Sequence, residues 1–198
     1  MDVVLIDSGG ANIGSVRYAL ERLGANARLS ADAATIMAAE RVILPGVGAA
    51  AVGMARLHEL GLVDVVRSLR QPLLGICLGM QLLFDTSDEG ETTCLGLLPG
   101  RVARLVGDAR LRVPHMGWNR LERVRCDPLQ AGVADGAFAY FVHGYAAPVT
   151  ADTLAASTHG AAFSALVRRG NVMGAQFHPE RSAAVGARLL ENFLAVRA

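Results

Sequence analysis

Lysine is absent from this 198-residue chain; all 19 basic residues are arginine. That absence removes Schiff-base and pyridoxal-lysine catalysis, together with the phosphate-binding lysine of a nucleotide-hydrolysing P-loop. An excess of charge of one sign is missing as well. Nineteen basic and 18 acidic residues leave a net charge of +1, without the basic surplus that nucleic-acid binding needs. Cysteine is limited to Cys77, Cys94 and Cys126. None is spaced as Cys-x-x-Cys and no histidine stands at zinc-ligand spacing, so neither a disulfide framework nor a metal site is expected. Cys94 and Cys126 read as small residues without chemistry, and no cofactor is called for. Long hydrophobic runs are also lacking. Mean hydropathy is high, at +0.34, but proline and glycine interrupt the apolar stretches well short of a membrane span. Met1 leads into Val3-Val4-Leu5-Ile6 without a basic segment or a cleavage site, so no signal peptide is expected and the cytoplasm is the expected compartment.

What is present is apolar. Hydrophobic residues make up 52% of the chain and charged residues 19%, enough to bury a core within one domain spanning residues 1–198. Val3 to Asp7 predicts a first parallel strand and Ser15 to Leu23 a helix. Gly9, Gly10 and Gly14 do not have the spacing of a dinucleotide-binding loop. Arg41 to Leu44 predicts another strand, ended by Pro45-Gly46-Val47-Gly48, after which Ala49 to Ala55 and Leu62 to Leu69 are helical in pattern. Alternation of this kind predicts an α/β fold, a mostly parallel central sheet flanked by helices with flavodoxin-like layering. The second half changes style. Residues 102–106, 114–124, 138–145, 154–157, 163–168 and 172–177 all look extended, which predicts added antiparallel strands. A last helix over 183–196 places Leu189, Leu190, Phe193 and Leu194 on its core face. Arg101, Arg104, Arg110, Arg112, Arg120, Arg123 and Arg125 form a loose basic cluster, read as a solvated face, with docking to a partner as the sharper alternative.

The most informative stretch is Gly75-Ile76-Cys77-Leu78-Gly79. Pro72 to Ile76 reads as a buried parallel strand, and Met80, Leu82, Leu83 and Phe84 are good helix formers. A strand-to-helix turn that sharp needs residues without side chains on both sides of its tip. The pattern is a nucleophile elbow, which sets one side chain at a helix N-terminus where backbone amides favour an anion. A thiol nucleophile needs a base, and the base needs a group to fix its tautomer. Gln176-Phe177-His178-Pro179-Glu180 offers both. His178 and Glu180, two positions apart at the expected end of a strand, should point to one side of the sheet, with Pro179 stopping the strand between them. Cys77, His178 and Glu180 thus read as a Cys-His-Glu triad.

These motifs resemble the class I (triad) glutamine amidotransferases, whose signature is a G-x-C-x-G elbow and a late H-P-E. More narrowly, the chain resembles the glutaminase subunit family of imidazole glycerol phosphate synthase. The stretches that carry this are Asp7-Ser8-Gly9 through Asn12 with Ser15-Val16, Leu44 to Gly48, Gly75 to Leu83, Pro114 to Asn119, Tyr140 to Tyr145 and Gln176 to Ser182. They run from the first strand to the last helix. The glutaminase of another synthase, such as one making pyridoxal phosphate or anthranilate, is the alternative within enzymes; a catalytically silent scaffold is the alternative outside them.

The resemblance implies hydrolysis of glutamine through a glutamyl thioester on Cys77, with His178 as acid and base. It implies an oxyanion hole from the backbone amides of Val47 and Leu78, the former in a turn where Gly46 and Gly48 let backbone approach substrate. Gln81 and Glu89 match positions that hold glutamine's polar groups, and His143-Gly144-Tyr145 matches a backbone segment lining the same pocket. The family often has a hydroxyl residue where this chain has Gly144. The implied partner is a (β/α)₈-barrel cyclase, which uses the ammonia to make imidazole glycerol phosphate and aminoimidazole carboxamide ribotide. Asn12, Trp118, Tyr140 and Arg181 lie on segments matching the family's docking face.

Overall fold

The structure is a computed structural model that describes residues 1–7, 13–109 and 111–196. In its first half, β1 (Asp2–Ile6), β2 (Asn26–Ser30), β3 (Arg41–Gly46) and β4 (Leu73–Cys77) alternate with α1 (Ile13–Arg22), α2 (Ala33–Ala38), α3 (Ala50–Glu59) and α4 (Val63–Ser68). The second half begins with α5 (Leu78–Gln81) and is then dominated by strands: β5 (Thr86–Ser87), β6 (Thr92–Thr93), β7 (Arg101–Arg104), β8 (His115–Arg123), β9 (Ala137–His143), β10 (Tyr145–Ala146), β11 (Thr153–His159), β12 (Ala161–Arg169) and β13 (Val172–Ala175). The last described element is α6 (Ala183–Ala195).

Nine strands form the main sheet in the order β2-β1-β3-β4-β13-β12-β11-β8-β9. The first five are mutually parallel; β12, β11, β8 and β9 then add on antiparallel. The α/β fold with added antiparallel strands is therefore as the sequence predicts. A smaller sheet, β10-β7-β5-β6, lies apart from it.

Side chains alternate along each strand, so a parallel strand covered on both sides feeds two cores. In β1, Val3 and Leu5 pack with Val16 and Leu20 of α1 and with Leu189, Leu190, Phe193 and Leu194 of α6. Val4 and Ile6 pack with Ile36 of α2, Met54 and Leu57 of α3, and Val63 and Val66 of α4. The whole of β4 is buried between these layers. Because β3, β4 and β13 are neighbours and parallel, their C-terminal ends emerge on one edge. That is where ligands bind in open α/β sheets.

Two local expectations need correction. The elbow is followed by a single helical turn, Leu78–Gln81, rather than a helix carrying on through Phe84. Leu82, Leu83 and Phe84 are buried, and their carbonyls accept from the amides of Leu95, Leu97 and Gly96, so the returning chain takes the acceptors that a longer helix would use. His178 and Glu180 are not on a strand. β13 stops at Ala175, and His178 precedes a 3₁₀ turn at Pro179–Arg181. Pro179 stands at the first position of that turn, where its missing N–H costs nothing.

Candidate active site

Cys77 holds φ +54° and ψ −112°, a left-handed conformation that costs a non-glycine residue about 1–3 kcal/mol. The neighbouring glycines show what enforces it. A Cβ on Gly79 would lie 1.8 Å from the Leu44 carbonyl oxygen, and one on Gly75 would lie 2.6 Å from the Gly79 oxygen. The α5 turn is pressed onto β3 and β4 too closely for any side chain at these two places.

The three residues read as a triad lie together at this edge. The His178 imidazole and the Glu180 carboxylate are both buried, and Nδ1 of His178 meets Oε1 of Glu180 at 2.8 Å. The carboxylate accepts, so Nδ1 carries the proton and Nε2 is free to exchange one. Nε2 is buried, and the Cys77 thiol is the group that acts on it. Burial opposes the charged imidazole. Hydrogen bonding to Cys77 and Glu180 and the charges of both outweigh it, and the His178 pKa is pushed up to about 10. The Cys77 sulfur also faces the Val142 carbonyl oxygen at 3.8 Å and accepts from the Gln176 amide at 3.9 Å.

A cleft of ≈ 330 Å³ opens over this group, a size suited to one small ligand. Cys77, Leu78 and His178 line it together with Val47 and Gly48, Gln81 and Glu89, His143 to Tyr145, and Arg181 at the rim. Nearly every expected pocket residue is thus in one place. Gly46 is the exception, packed beneath the cleft against Leu78 and Gly79. Gln81 is buried, with its amide donating to the Tyr145 carbonyl at 2.8 Å and to Gln176 Oε1 at 2.9 Å. Glu89 Oε2 accepts from the Ala50 amide at 2.8 Å and so also caps α3, whose own N-cap, Ala49, supplies no side-chain bond.

Of the expected docking residues, Trp118 lies on β8, Tyr140 on β9 and Arg181 in the 3₁₀ turn at Pro179–Arg181. Trp118 is 53% exposed, too open for a core tryptophan, and its ring meets that of Tyr140 edge-on at 6.0 Å. Asn12 lies outside the described residues, as does Arg110 of the basic cluster. The cluster's other arginines are exposed, as a solvated face requires. Among the described residues no group of histidine, cysteine or carboxylate side chains could hold a metal ion, and no helix is long and apolar enough to cross a membrane. Cys94 is buried and its thiol is pushed up to about 11 by burial, away from reactivity; Cys126 is exposed.

Sequence reasoning gave no role to Gln176, His115, Asn119 or Ser182. Gln176 carries the clearest signal, since it opens the same motif as His178, but its contact with a sulfur 99 positions away is visible only in three dimensions.

The chain is 63% identical over 193 residues to the imidazole glycerol phosphate synthase subunit HisH of Xanthomonas axonopodis pv. citri, with 98% of this chain and 96% of that protein covered. It is 60% identical to the subunit of the same name from Xylella fastidiosa, with the same coverage. A solved glutamine amidotransferase structure superposes with a TM-score of 0.74 at 24% identity, covering 97% of each chain, a likeness of fold. The sequence model of glutamine amidotransferase class-I matches residues 4–196, and over that span this chain belongs to the class-I glutamine amidotransferases.

Proposed function

We propose that this chain, acting as one glutaminase domain, is the glutaminase subunit of an imidazole glycerol phosphate synthase in histidine biosynthesis. The observation that supports the reading is Cys77 and His178 lining one cleft, with Glu180 hydrogen-bonded to His178, in a chain so similar to proteins of that name. Glutamine enters the cleft and the Cys77 sulfur, its proton passed to His178, attacks the side-chain amide carbon. The carbonyl oxygen becomes an oxyanion. The backbone amides of Val47 and Leu78 receive it, each donor contributing roughly 3–4 kcal/mol of barrier lowering. His178 gives its proton to the leaving nitrogen, ammonia departs and a glutamyl thioester remains. The imidazole next takes a proton from water, hydroxide adds to the thioester, and collapse releases glutamate and restores Cys77. Glu180 keeps Nδ1 protonated throughout, so that Nε2 is always the nitrogen facing the thiol. The raised pKa of His178 supports its acid role.

Free ammonia is protonated almost at once in neutral water and ceases to be a nucleophile. It is therefore delivered in a protected way to a (β/α)₈-barrel cyclase, which forms imidazole glycerol phosphate and aminoimidazole carboxamide ribotide in the cytoplasm. The exposed Trp118 ring, the half-buried Tyr140 ring beside it and the cleft-lining Arg181 suit that docking face, since aromatic and arginine side chains dominate interface energetics. The isolated subunit is expected to be nearly inactive, the Val47 peptide turning into place only when the partner's nucleotide site is filled. Glutamine hydrolysis by wild type and Cys77→Ala, with and without the cyclase and its nucleotide ligand, tests this. Equal rates for the two proteins would remove Cys77 from the chemistry, and no rise on adding cyclase would remove the partner.

A further inference from the structure

Five side chains that the chemistry above does not use form a hydrogen-bond chain leading to the cleft. Asn119 Nδ2 donates to the Thr158 carbonyl at 2.9 Å and meets His115 Nε2 at 3.2 Å. His115 Nδ1 meets His143 Nε2 at 3.0 Å. His143 Nδ1 meets the Tyr145 carbonyl oxygen at 2.8 Å, and the same oxygen accepts from Gln81 Nε2. Gln81 continues to Gln176, whose amide points at the Cys77 sulfur.

The direction of every bond follows from its ends. The Tyr145 carbonyl can only accept, so His143 Nδ1 carries a proton, and in a neutral ring its Nε2 is then an acceptor. His115 Nδ1 must therefore donate and its Nε2 accept. Asn119 must in turn present its amide nitrogen, and the carbonyl of Thr158 independently demands the same orientation. Asn119 Oδ1 is consistent too, accepting from the Arg120 amide at 2.8 Å. Two carbonyls at opposite ends thus impose one set of tautomers. A proton added to either histidine would set N–H against N–H, in line with the depressed pKa values of His115, about 4, and His143, about 3, which come first from burial. Stacking of His115 on His159, with centroids 4.2 Å apart, and on Phe141 at 5.0 Å holds the ring plane. Both protons of the Gln81 amide are spent inside the wall, which leaves its carbonyl oxygen as the group it can offer the cleft.

We propose that Asn119 and His115 are positioning residues of the glutamine cleft, which hold His143 in a single tautomer and through it fix the Tyr145 carbonyl and the Gln81 amide. The role rests on the glutaminase reading. It starts on β8, the strand whose opposite face carries Trp118, and is exerted on the Tyr145 carbonyl and the Gln81 amide, cleft-lining groups that bind rather than react. Its loss therefore raises KM for glutamine more than it lowers kcat.

The test compares His115→Phe, which keeps a ring and loses the donor, with His115→Asn, whose amide nitrogen can stand near the position of Nδ1. Each full-length chain is assayed with the cyclase, and ring-nitrogen NMR of ¹⁵N-histidine protein reports the His143 tautomer. His115→Phe is expected to raise KM on the order of tenfold, the worth of about one hydrogen bond, with kcat changed by no more than about twofold. It is also expected to show His143 in mixed tautomers, while His115→Asn recovers both readouts. Asn119→Leu supplies the same comparison should His115→Phe fail to fold. An unchanged KM with an unchanged tautomer would overturn the proposal, as would equal KM rises in Phe and Asn variants that both retain the Nδ1–H form. Wild type that hydrolyses no glutamine would instead sink the glutaminase reading, leaving the tautomer measurement to decide the relay by itself.

Discussion

The backbone of His178 is tied to that of Tyr140 from both sides. The His178 amide donates to the Tyr140 carbonyl at 2.9 Å. The Tyr140 amide donates to Ser182 Oγ at 2.9 Å, and that hydroxyl donates to the His178 carbonyl at 2.7 Å. The turn that aims the imidazole therefore moves with β9, whose outward face bears the Tyr140 ring. Ser182→Ala leaves the Tyr140 amide and the His178 carbonyl without this partner, at a cost of about 1–3 kcal/mol. Denaturant titration is expected to show that loss, and kcat for glutamine is expected to fall on the order of tenfold as Nε2 drifts from the thiol. A variant as stable and as active as wild type would show that β9 does not hold the histidine.

Two glycines near the cleft should respond oppositely to substitution. Gly79→Ala drives a Cβ to 1.8 Å from the Leu44 oxygen, and backbone on both sides has no room to yield. Destabilisation above about 4 kcal/mol, seen as loss of soluble protein, is expected. Gly144→Ser meets nothing nearer than Val113 Cγ1, at 4.0 Å, and its φ is not in the left-handed range. Its stability should stay within about 0.5 kcal/mol of wild type, because the added Cβ has room.

Removing the thiol should change the imidazole. Burial pushes the His178 pKa down, while Cys77, through hydrogen bonding and charge, and Glu180 in the same two ways push it up to about 10. Cys77→Ala deletes one of the two raising partners and leaves the burial in place. The His178 pKa is therefore expected to fall, measured by NMR titration of the ring carbon proton in both proteins. A value that stays the same would mean that thiol and imidazole do not interact.

The paired histidines set an acid limit on stability. His115 and His143 have folded pKa values of about 4 and 3, lowered first by burial, with His159 acting against both and His178 also against His143. An unfolded histidine titrates near pH 6.5. Above that pH neither state is protonated and stability is intact. As pH falls below it towards 4 and 3, the unfolded chain takes up protons that the folded chain refuses, and stability drops. His178 acts at the other end, because its raised pKa contributes stability below about pH 6.5 that is lost as pH climbs towards 10. Denaturation at pH 7 and pH 5 should show a clear loss in wild type and a smaller one in His115→Phe, which lacks one of the groups.

What could be read in the sequence was what depends on local chemistry. Gly75 and Gly79 around Cys77 announced a backbone approach that only glycine permits, and the runs at 3–7, 41–44 and 72–76 announced strands of a parallel sheet. The length of the elbow helix was not legible. Whether Leu82 to Phe84 extend it depends on carbonyl bonds to Leu95, Gly96 and Leu97, a matter of tertiary return. The His178–Glu180 pairing could be read as a motif, yet its geometry comes from a 3₁₀ turn started by Pro179, not from strand alternation. The His115–His143 relay was invisible because its members are 28 positions apart and its meaning lies in the direction of its hydrogen bonds. β2 and α2 carry short, weakly patterned sequences; α2 is set by Asp32, whose carboxylate caps the Thr35 amide at 2.8 Å.

Glu89 serves two ends at once, and substitution can separate them. One oxygen accepts from the Ala50 amide at the N-terminus of α3, where a negative charge meets the helix dipole and replaces the side-chain cap that Ala49 lacks. The residue also lines the cleft, where a carboxylate favours the ammonium end of glutamine. Glu89→Gln keeps an oxygen that can accept from Ala50 and removes only the charge. It is expected to fold within about 1 kcal/mol of wild type while raising KM for glutamine roughly tenfold or more, with kcat little altered. Glu89→Ala removes both and should add a stability loss of about 0.5–2 kcal/mol. If Glu89→Gln retained the wild-type KM, the carboxylate would be a helix cap alone, and recognition of the substrate ammonium would have to fall to another group in the cleft.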